Sequence, residues 1–284
     1  MSSARGVTVS GGEPCIRDDL ARLVRTIARS IPEVHLASNG TLLDRESCRI
    51  LSDSGLAAFQ ISIPAATPHA FSDLCGEGCV DSVLRGISAA ASTGLPVSAA
   101  LPLCSRNLAE AGDILKLAFA SGASSLQIIP LAPGGRASGA WSELRPTPAM
   151  IRGALDAAME KASACGIPVY TGIPLRGCVM GGSIPEGLVN TGCTGAGPKW
   201  AVDPWGMLRP CEQMPMLLGD FLGEDFGSIA SSRAAQQFRA LPGACRGCGE
   251  AAACRGGCRA TAPEELPRWR RSVRDSATRP RRTR

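Results

Sequence analysis

Apolar residues recur along the first 170 positions in two alternating rhythms. Short runs rich in branched side chains predict strands at Val7 to Ser10, Val34 to Ser38, Ala58 to Ile63, Val97 to Leu101, Ser125 to Pro130 and Val169 to Thr171. Between them, apolar positions spaced by three and four residues predict helices over Asp18 to Ser30, Asp44 to Ser54, Val80 to Thr93, Leu108 to Ser121 and Pro148 to Cys165. Strand and helix taking turns at this spacing specify an α/β fold with a parallel sheet and right-handed crossovers, either open and doubly wound or a barrel. In both architectures ligands meet the C-terminal ends of the strands. The segments that follow the strands are small, polar or bent: GGEP (Gly11 to Pro14), SNG (Ser38 to Gly40), SIPAATP (Ser62 to Pro68) and PLAPGGR (Pro130 to Arg136).

From Gly177 the rhythm gives way to Gly, Pro and Cys with little periodicity, as expected of a segment organised by metal rather than by an apolar core. Beyond Ala262 there are few apolar residues and many Arg, which reads as a disordered tail. The expected organisation is therefore 1–175, 176–262 and 263–284.

Charge changes the picture only at that end. The net charge of +5 comes from the stretch after Cys258, where nine Arg face Glu264, Glu265 and Asp275, leaving the first 258 residues at −1. A basic tail with Trp269 as its one aromatic residue is a poor nucleic-acid interface. No run approaches the roughly 18 apolar residues of a membrane span, and MSSARGVTVSGG has no apolar stretch of a secretory signal. The expectation is a cytoplasmic protein without a membrane partner.

Thirteen cysteines in such a chain point to metal rather than to disulfides. Seven fall late: Cys178, then Cys193-x12-Gly206-x4-Cys211, then Cys245-x2-Cys248-x5-Cys254-x3-Cys258. Short repeated spacings let several thiolates face one centre, as in iron–sulfur and zinc sites. A zinc site of Cys245, Cys248, Cys254 and Cys258, with Cys193 and Cys211 as ordinary buried thiols, is the alternative left open. His35 and His69 are the two histidines, and neither pairs with a nucleophile in the sequence.

The order C-x12-G-x4-C, gap, C-x2-C-x5-C-x3-C, with AVDPWGMLRPCEQ and ACRGCGEAAACRGGCRA around it, resembles the SPASM domain. That domain carries auxiliary iron–sulfur clusters in one branch of the radical S-adenosylmethionine (SAM) enzymes. The resemblance implies Cys193, Cys211 and Cys258, with Cys178 as a candidate fourth, on one [4Fe-4S] cluster and Cys245, Cys248 and Cys254 on a second. The family's second cluster takes a further cysteine after a gap. None follows Cys258 here, which leaves an open site, a ligand such as Glu264, Glu265 or Asp275, or a divergent tail.

The same family resembles the first half. GVTVSGGEP is similar to its second strand, whose Gly-Gly-Glu-Pro turn (Gly11, Gly12, Glu13, Pro14) binds the amino group of SAM through backbone carbonyls and a carboxylate. Ser62 matches a ribose-facing serine, whose neighbouring aspartate is Pro64 here. Asn39 and Asn107 are strand-end candidates for the methionine or ribose part, or else Asx turns. Ile129 is a candidate to pack on adenine, or a core residue. The fold implied is a partial (β/α)6 barrel lacking its first β/α unit, with Val7 to Ser10 as an unpaired or poorly packed edge, plus a small Cys-rich domain.

The family's catalytic cluster is held by a C-x3-C-x2-C loop, and these 284 residues contain none. Cys75-x3-Cys79 has half the spacing and Cys15 adjoins the GGEP turn, so these three are the candidates for a substitute set. Otherwise they read, with Cys48, Cys104 and Cys165, as buried or adventitious thiols. The resemblance implies a peptide or small-molecule substrate, an external electron donor, and a SAM-cleaving maturase of peptides or cofactors. Two readings compete with it: an iron–sulfur electron-transfer module without catalysis, and a truncated gene product. No catalytic residue is assigned from sequence.

Overall fold

The protein is described by a computed structural model over residues 4–76, 78–181, 184–190 and 192–261. It divides into two compact units. The first holds the chain up to Leu131 with Leu144–Gly172 and Val179–Val189; the second holds Ala132–Glu143, Ile173–Cys178 and the chain from Asn190. The expectations for 263–284, including Glu264, Glu265 and Asp275 as ligands, lie outside the described residues.

The first unit is a six-stranded, wholly parallel sheet: β1 (Gly6–Val9), β2 (Glu33–Ser38), β3 (Leu56–Ser62), β4 (Val97–Leu103), β5 (Ser125–Pro130) and β6 (Val169–Thr171). Its strand order is sequential, β1 to β6. A doubly wound sheet reverses its order at a switch point, and this one never does, so the arrangement is that of an open barrel. All six strands fall where the apolar runs predict them. The helices are α1 (Leu20–Ala28), α2 (Arg45–Asp53), α3 (Pro68–Cys75), α4 (Val80–Ala91), α5 (Ala111–Ala120) and α6 (Pro148–Cys165).

Helix α3 escaped the periodicity because it is short and buries one side chain, Phe71. The signal present was Thr67-Pro68: the Thr67 hydroxyl caps the Ala70 N–H and Pro68 occupies the first turn, where its missing N–H costs nothing. The same device starts α6 at Thr147-Pro148.

Side chains alternate across the sheet. Val34, Leu36, Phe59, Ile61, Leu101 and Ile128 are buried against the helices, each worth about 1.5–3 kcal/mol when fully removed from water. The opposite face carries His35, Gln60, Ser62, Ser98, Gln127 and Tyr170, all half-buried. There Gln60 Nε2 donates to Gln127 Oε1 at 2.8 Å across β4, and the Ser98 and Tyr170 hydroxyls share a hydrogen bond. Strand β1 pairs with β2 through Gly6↔Glu33 to Val9↔Leu36. It is thus not unpaired, but among the described residues it is an edge, with exposed and half-buried side chains.

The second unit contains a small antiparallel sheet, β7 (Ala201–Val202), β8 (Met207–Arg209) and β9 (Gly219–Asp220), followed by α7 (Phe226–Ser231), α8 (Arg233–Arg239) and α9 (Ala251–Cys254). The turn between β7 and β8 is built by Asp203, whose carboxylate accepts from the N–H groups of Trp205 and Met207 and pairs with Arg209 at 2.8 Å. Asp225 and Ser232 cap α7 and α8. No helix of the described residues is long and apolar enough to cross a membrane.

Candidate functional site

The C-terminal ends of β1 and β2 meet through one carboxylate. Glu13 Oε1 accepts from the Cys15 N–H at 3.0 Å and the Ser38 hydroxyl at 2.8 Å, and Oε2 accepts from the Asn39 N–H at 2.7 Å. The Ser38 oxygen in turn accepts from the Gly40 N–H at 3.0 Å. The GGEP and SNG segments are thereby locked together, 25 residues apart in sequence.

A carboxylate offers about four lone-pair directions, so three donors leave Glu13 one for a cationic ligand. Gly11 and Gly12 are exposed, and a Cβ on either would meet nothing within 4 Å. Neither has a positive φ. Packing and backbone conformation within the chain therefore make no demand for glycine here, and the backbone stands open to a ligand. These residues fit the ammonium end of SAM. Pro14 is buried behind them.

Asn39 forms the Asx turn: its Oδ1 accepts from the Thr41 N–H and hydroxyl at 2.9 and 2.7 Å. Gly40 adopts φ 77°, with no room for a Cβ beside Ile61. Asn107 is buried and fully engaged: Oδ1 accepts from the Cys104 N–H, and Nδ2 donates to the carbonyls of Pro64 and Pro102, all at 2.8 Å. It ties the loops after β3 and β4 together, leaving no amide proton for a ligand. Glu110 reinforces the tie by accepting from the Ala66 N–H at 3.0 Å and the Thr67 hydroxyl at 2.6 Å. Sequence reasoning missed Glu110, whose one legible signal was its spacing of three from Asn107. Ser62 ends β3 half-buried on the polar face, in register with Ala100. Ile129 is half-buried there as well, packed against Gly172.

Cys15 sits beside this network, its Sγ 3.5 Å from the Ser38 Oγ. Burial, with Glu13 adding to it and Ser38 opposing, pushes its thiol up to about 12. Cys75 is exposed at the end of α3 and Cys79 precedes α4. Cys48 and Cys104 are buried core thiols, and burial, aided by Asp44, pushes Cys48 up to about 11. His35 lies in β2 and His69 is exposed in α3.

In the second unit, burial pushes the Cys211 thiol up to about 12, with the charges of Glu212 and Cys258 adding to it. Burial also raises Cys258, with Cys193 and Glu212 contributing. Cys193, Cys211 and Cys258 all belong to this unit. Cys245, Cys248 and Cys254 follow one another through tight turns, with the Cys248 N–H donating to the Cys245 carbonyl at 3.2 Å. Cys178 is exposed. Among the described residues no three His, Cys, Asp or Glu stand close enough for a single metal ion. An iron–sulfur cluster has different needs, since its own atoms span the space between thiolates. Arg255, Gly256 and Gly257 run at φ 50°, 75° and 69° between Cys254 and Cys258, and the Cys258 N–H then donates to the Pro174 carbonyl.

A sequentially ordered parallel sheet whose first two loops are tied by a Gly-Gly-Glu-Pro carboxylate, in a chain with a cysteine-rich second unit, defines a class of cofactor-dependent α/β protein. The description of the radical SAM superfamily matches residues 2–118. The mycofactocin maturase MftC of Mycobacterium ulcerans (strain Agy99) is 30% identical over 264 residues, covering 89% of this chain and 70% of that protein. MftC of Mycolicibacterium smegmatis is 29% identical over 264 residues, covering 89% and 66%. The fold matches a crystal structure of Streptococcus suis SuiB bound to S-adenosylmethionine with a TM-score of 0.69 at 16% identity, over 94% of this chain and 65% of that one. The chain belongs to the radical SAM superfamily, whose chemistry rests on S-adenosylmethionine and an iron–sulfur cluster. It spans 66% of the length of the M. smegmatis relative.

Proposed function

We propose that this chain binds S-adenosylmethionine at the ends of β1 and β2 and carries auxiliary iron–sulfur clusters in a SPASM-type second unit, as part of the maturation of a peptide. The observation that carries the reading is the Glu13 carboxylate, held by three donors with one acceptor direction free, beside the open backbone of Gly11 and Gly12. Gly11, Gly12 and Glu13 would hold the ammonium group, Asn39 and Ser62 would flank the ligand, and Pro14 would back the turn. Cys193, Cys211 and Cys258, with Cys178 as a candidate fourth, would hold one [4Fe-4S] cluster and Cys245, Cys248 and Cys254 a second. When bound, the catalytic cluster and SAM of this family supply a 5'-deoxyadenosyl radical by reductive cleavage. The chain's own share is to orient the sulfonium ligand and keep water from it.

The maturases similar to this chain favour a peptide substrate over a small molecule; an external electron donor and a cytoplasmic setting belong to the same proposal. A second reading, an iron–sulfur electron-transfer module, is favoured by the absence of C-x3-C-x2-C from these 284 residues. Anaerobic reconstitution, iron counting and a dithionite-driven assay for 5'-deoxyadenosine separate the two. Nucleoside above a no-protein control supports the catalytic reading; iron and SAM binding without nucleoside support the second; neither iron nor SAM binding overturns both.

A further inference from the structure

The small sheet of the second unit turns large apolar side chains outward. Trp205 is 75% exposed in the turn between β7 and β8. Leu222, 80% exposed, lies across Gly206 of the same turn, where a Cβ would stand 2.8 Å from its Cδ1. The Phe221 N–H donates to the Gly206 carbonyl at 2.9 Å, and the Phe221 ring meets Phe226 edge to face, with centroids 6.4 Å apart. Phe226 meets Trp200 in the same way at 5.3 Å. Val202, Phe221 and Phe226 are exposed as well. A contiguous apolar face of this kind, rimmed by polar groups, is the mark of a docking surface.

The rim is acidic. Residues 200–232 hold Asp203, Glu212, Asp220, Glu224 and Asp225 against Arg209 alone, a charge of −4. Asp203 pairs with Arg209, and Glu212 with Lys199. Asp220 accepts from the Leu222 and Gly223 N–H groups, Glu224 from the Asp220 N–H, and Asp225 from Ser228. Among the described residues none of these three carboxylates pairs with a cation.

The chain itself carries the complement. Residues 263–284 hold eight Arg against Glu264, Glu265 and Asp275, a charge of +5, and Leu266, Trp269 and Val273 stand among Arg268, Arg270, Arg271 and Arg274. Guanidinium groups pair with carboxylates and stack on aromatic faces, so one segment suits both the rim and the face. It is also within reach. Arg259 donates to the Ala240 carbonyl after α8, Arg239 of α8 donates to the Ala230 carbonyl in α7, and α7 begins at Phe226. That path is roughly 30 Å long, whereas residues 262–284 can extend to roughly 75 Å.

We propose that the arginine-rich segment 263–284 docks on the aromatic face of its own second unit, with Trp269 against Trp205 and Leu222 and the neighbouring arginines at Asp220, Glu224 and Asp225. The tether makes a modest affinity sufficient. At an effective concentration of about 1 mM, an intrinsic Kd of about 0.1 mM occupies the face roughly nine times in ten. The inference does not depend on what the cysteines hold.

Trypsin cuts after Arg, so its attack on the segment in the full chain, followed by mass spectrometry, reads the undocked population. The reference is a synthetic peptide of residues 263–284. The segment is expected to be cut on the order of tenfold more slowly in the parent than in the peptide. The double variant Trp205→Ser, Leu222→Ser, at two exposed positions, should return the rate to that of the peptide. Glu224→Gln, which keeps an acceptor for the Asp220 N–H, should raise it by a smaller factor. Equal rates in the parent, the double variant and the peptide overturn the proposal and leave the face to a partner protein. Protection that persists in the double variant overturns it too. Protection that grows with protein concentration assigns the face to a second copy of the chain and overturns docking within one chain.

Discussion

Glu13 accepts a hydrogen bond from the Ser38 hydroxyl at 2.8 Å, joining the loop after the first strand to the loop after the second. The bond is charge-assisted, and the same carboxylate holds the Asn39 N–H at 2.7 Å. Replacing Glu13 with Gln keeps the shape, removes the charge and turns an amide donor toward these donors. The expected result is a loss of about 1–3 kcal/mol in stability, from charged hydrogen bonds worth about 1.5–3 kcal/mol each and partly compensated by the Gln carbonyl. SAM affinity, read by calorimetric titration, should fall at least about tenfold, or roughly 1.4 kcal/mol. Unchanged affinity would remove Glu13 from the site.

Gly86 on α4 faces the loop that carries Gly40. A Cβ at position 86 would stand 2.1 Å from the Gly40 carbonyl oxygen, and the obstacle is backbone rather than a flexible side chain. Gly86→Ala gains up to about 1 kcal/mol of helix propensity but incurs overpacking of about 1–3 kcal/mol. Net destabilisation is expected by urea denaturation, with weaker SAM binding because the Ser38 to Gly40 segment is displaced.

Asn107 offers a contrasting case, since its side chain serves the scaffold. Asn107→Leu would leave the Cys104 N–H and the carbonyls of Pro64 and Pro102 without their partner. Each buried unsatisfied group costs about 1–3 kcal/mol, so a loss of several kcal/mol is expected in thermal or chemical unfolding. Rescue of stability by Asn107→Asp should be poor, because a carboxylate cannot donate to two carbonyls.

The Asp203 turn predicts a pH dependence for the second unit. Burial pushes its carboxyl up, but Arg209 and the N–H groups of Met207 and Trp205 together hold it below the ordinary value of 3.8. A lowered folded value stabilises the ionised form, so this stability is fully present above 3.8 and is lost as pH falls through the lower folded value. Melting temperature followed downward from pH 5 should fall less steeply in Asp203→Asn than in the parent. Identical slopes would show that the turn contributes nothing to acid unfolding.

The proposed first cluster makes a prediction about grouping. Cys193→Ser, Cys211→Ser and Cys258→Ser should each abolish the same iron–sulfur signal, whereas Cys48→Ser and Cys104→Ser, in the core of the first unit, should leave it intact. Binding should also release protons, because burial keeps the metal-free Cys211 and Cys258 thiols protonated and a metal takes the thiolate. Loss of different signals by the three would separate them.

The strands and most of the helices were legible in the apolar pattern. Val34 to Ser38 and Ser125 to Pro130 alternate buried and open positions, a period-two pattern that survives into the sheet because each strand has one face on the helices. Gly-Gly-Glu-Pro and the cysteine spacings were legible for a similar reason: local backbone and thiol chemistry impose short, fixed separations. Tertiary structure alone decided that the sheet keeps one sequential order, since order depends on which helix packs beside which strand. It alone showed that Asn107 serves backbone carbonyls while Asn39 forms a turn, as both are asparagines at strand ends and only their neighbours differ. It also set Leu222 across the turn of Trp205 and Gly206, because the pairing of β8 with β9 joins two stretches that no apolar period in the chain relates.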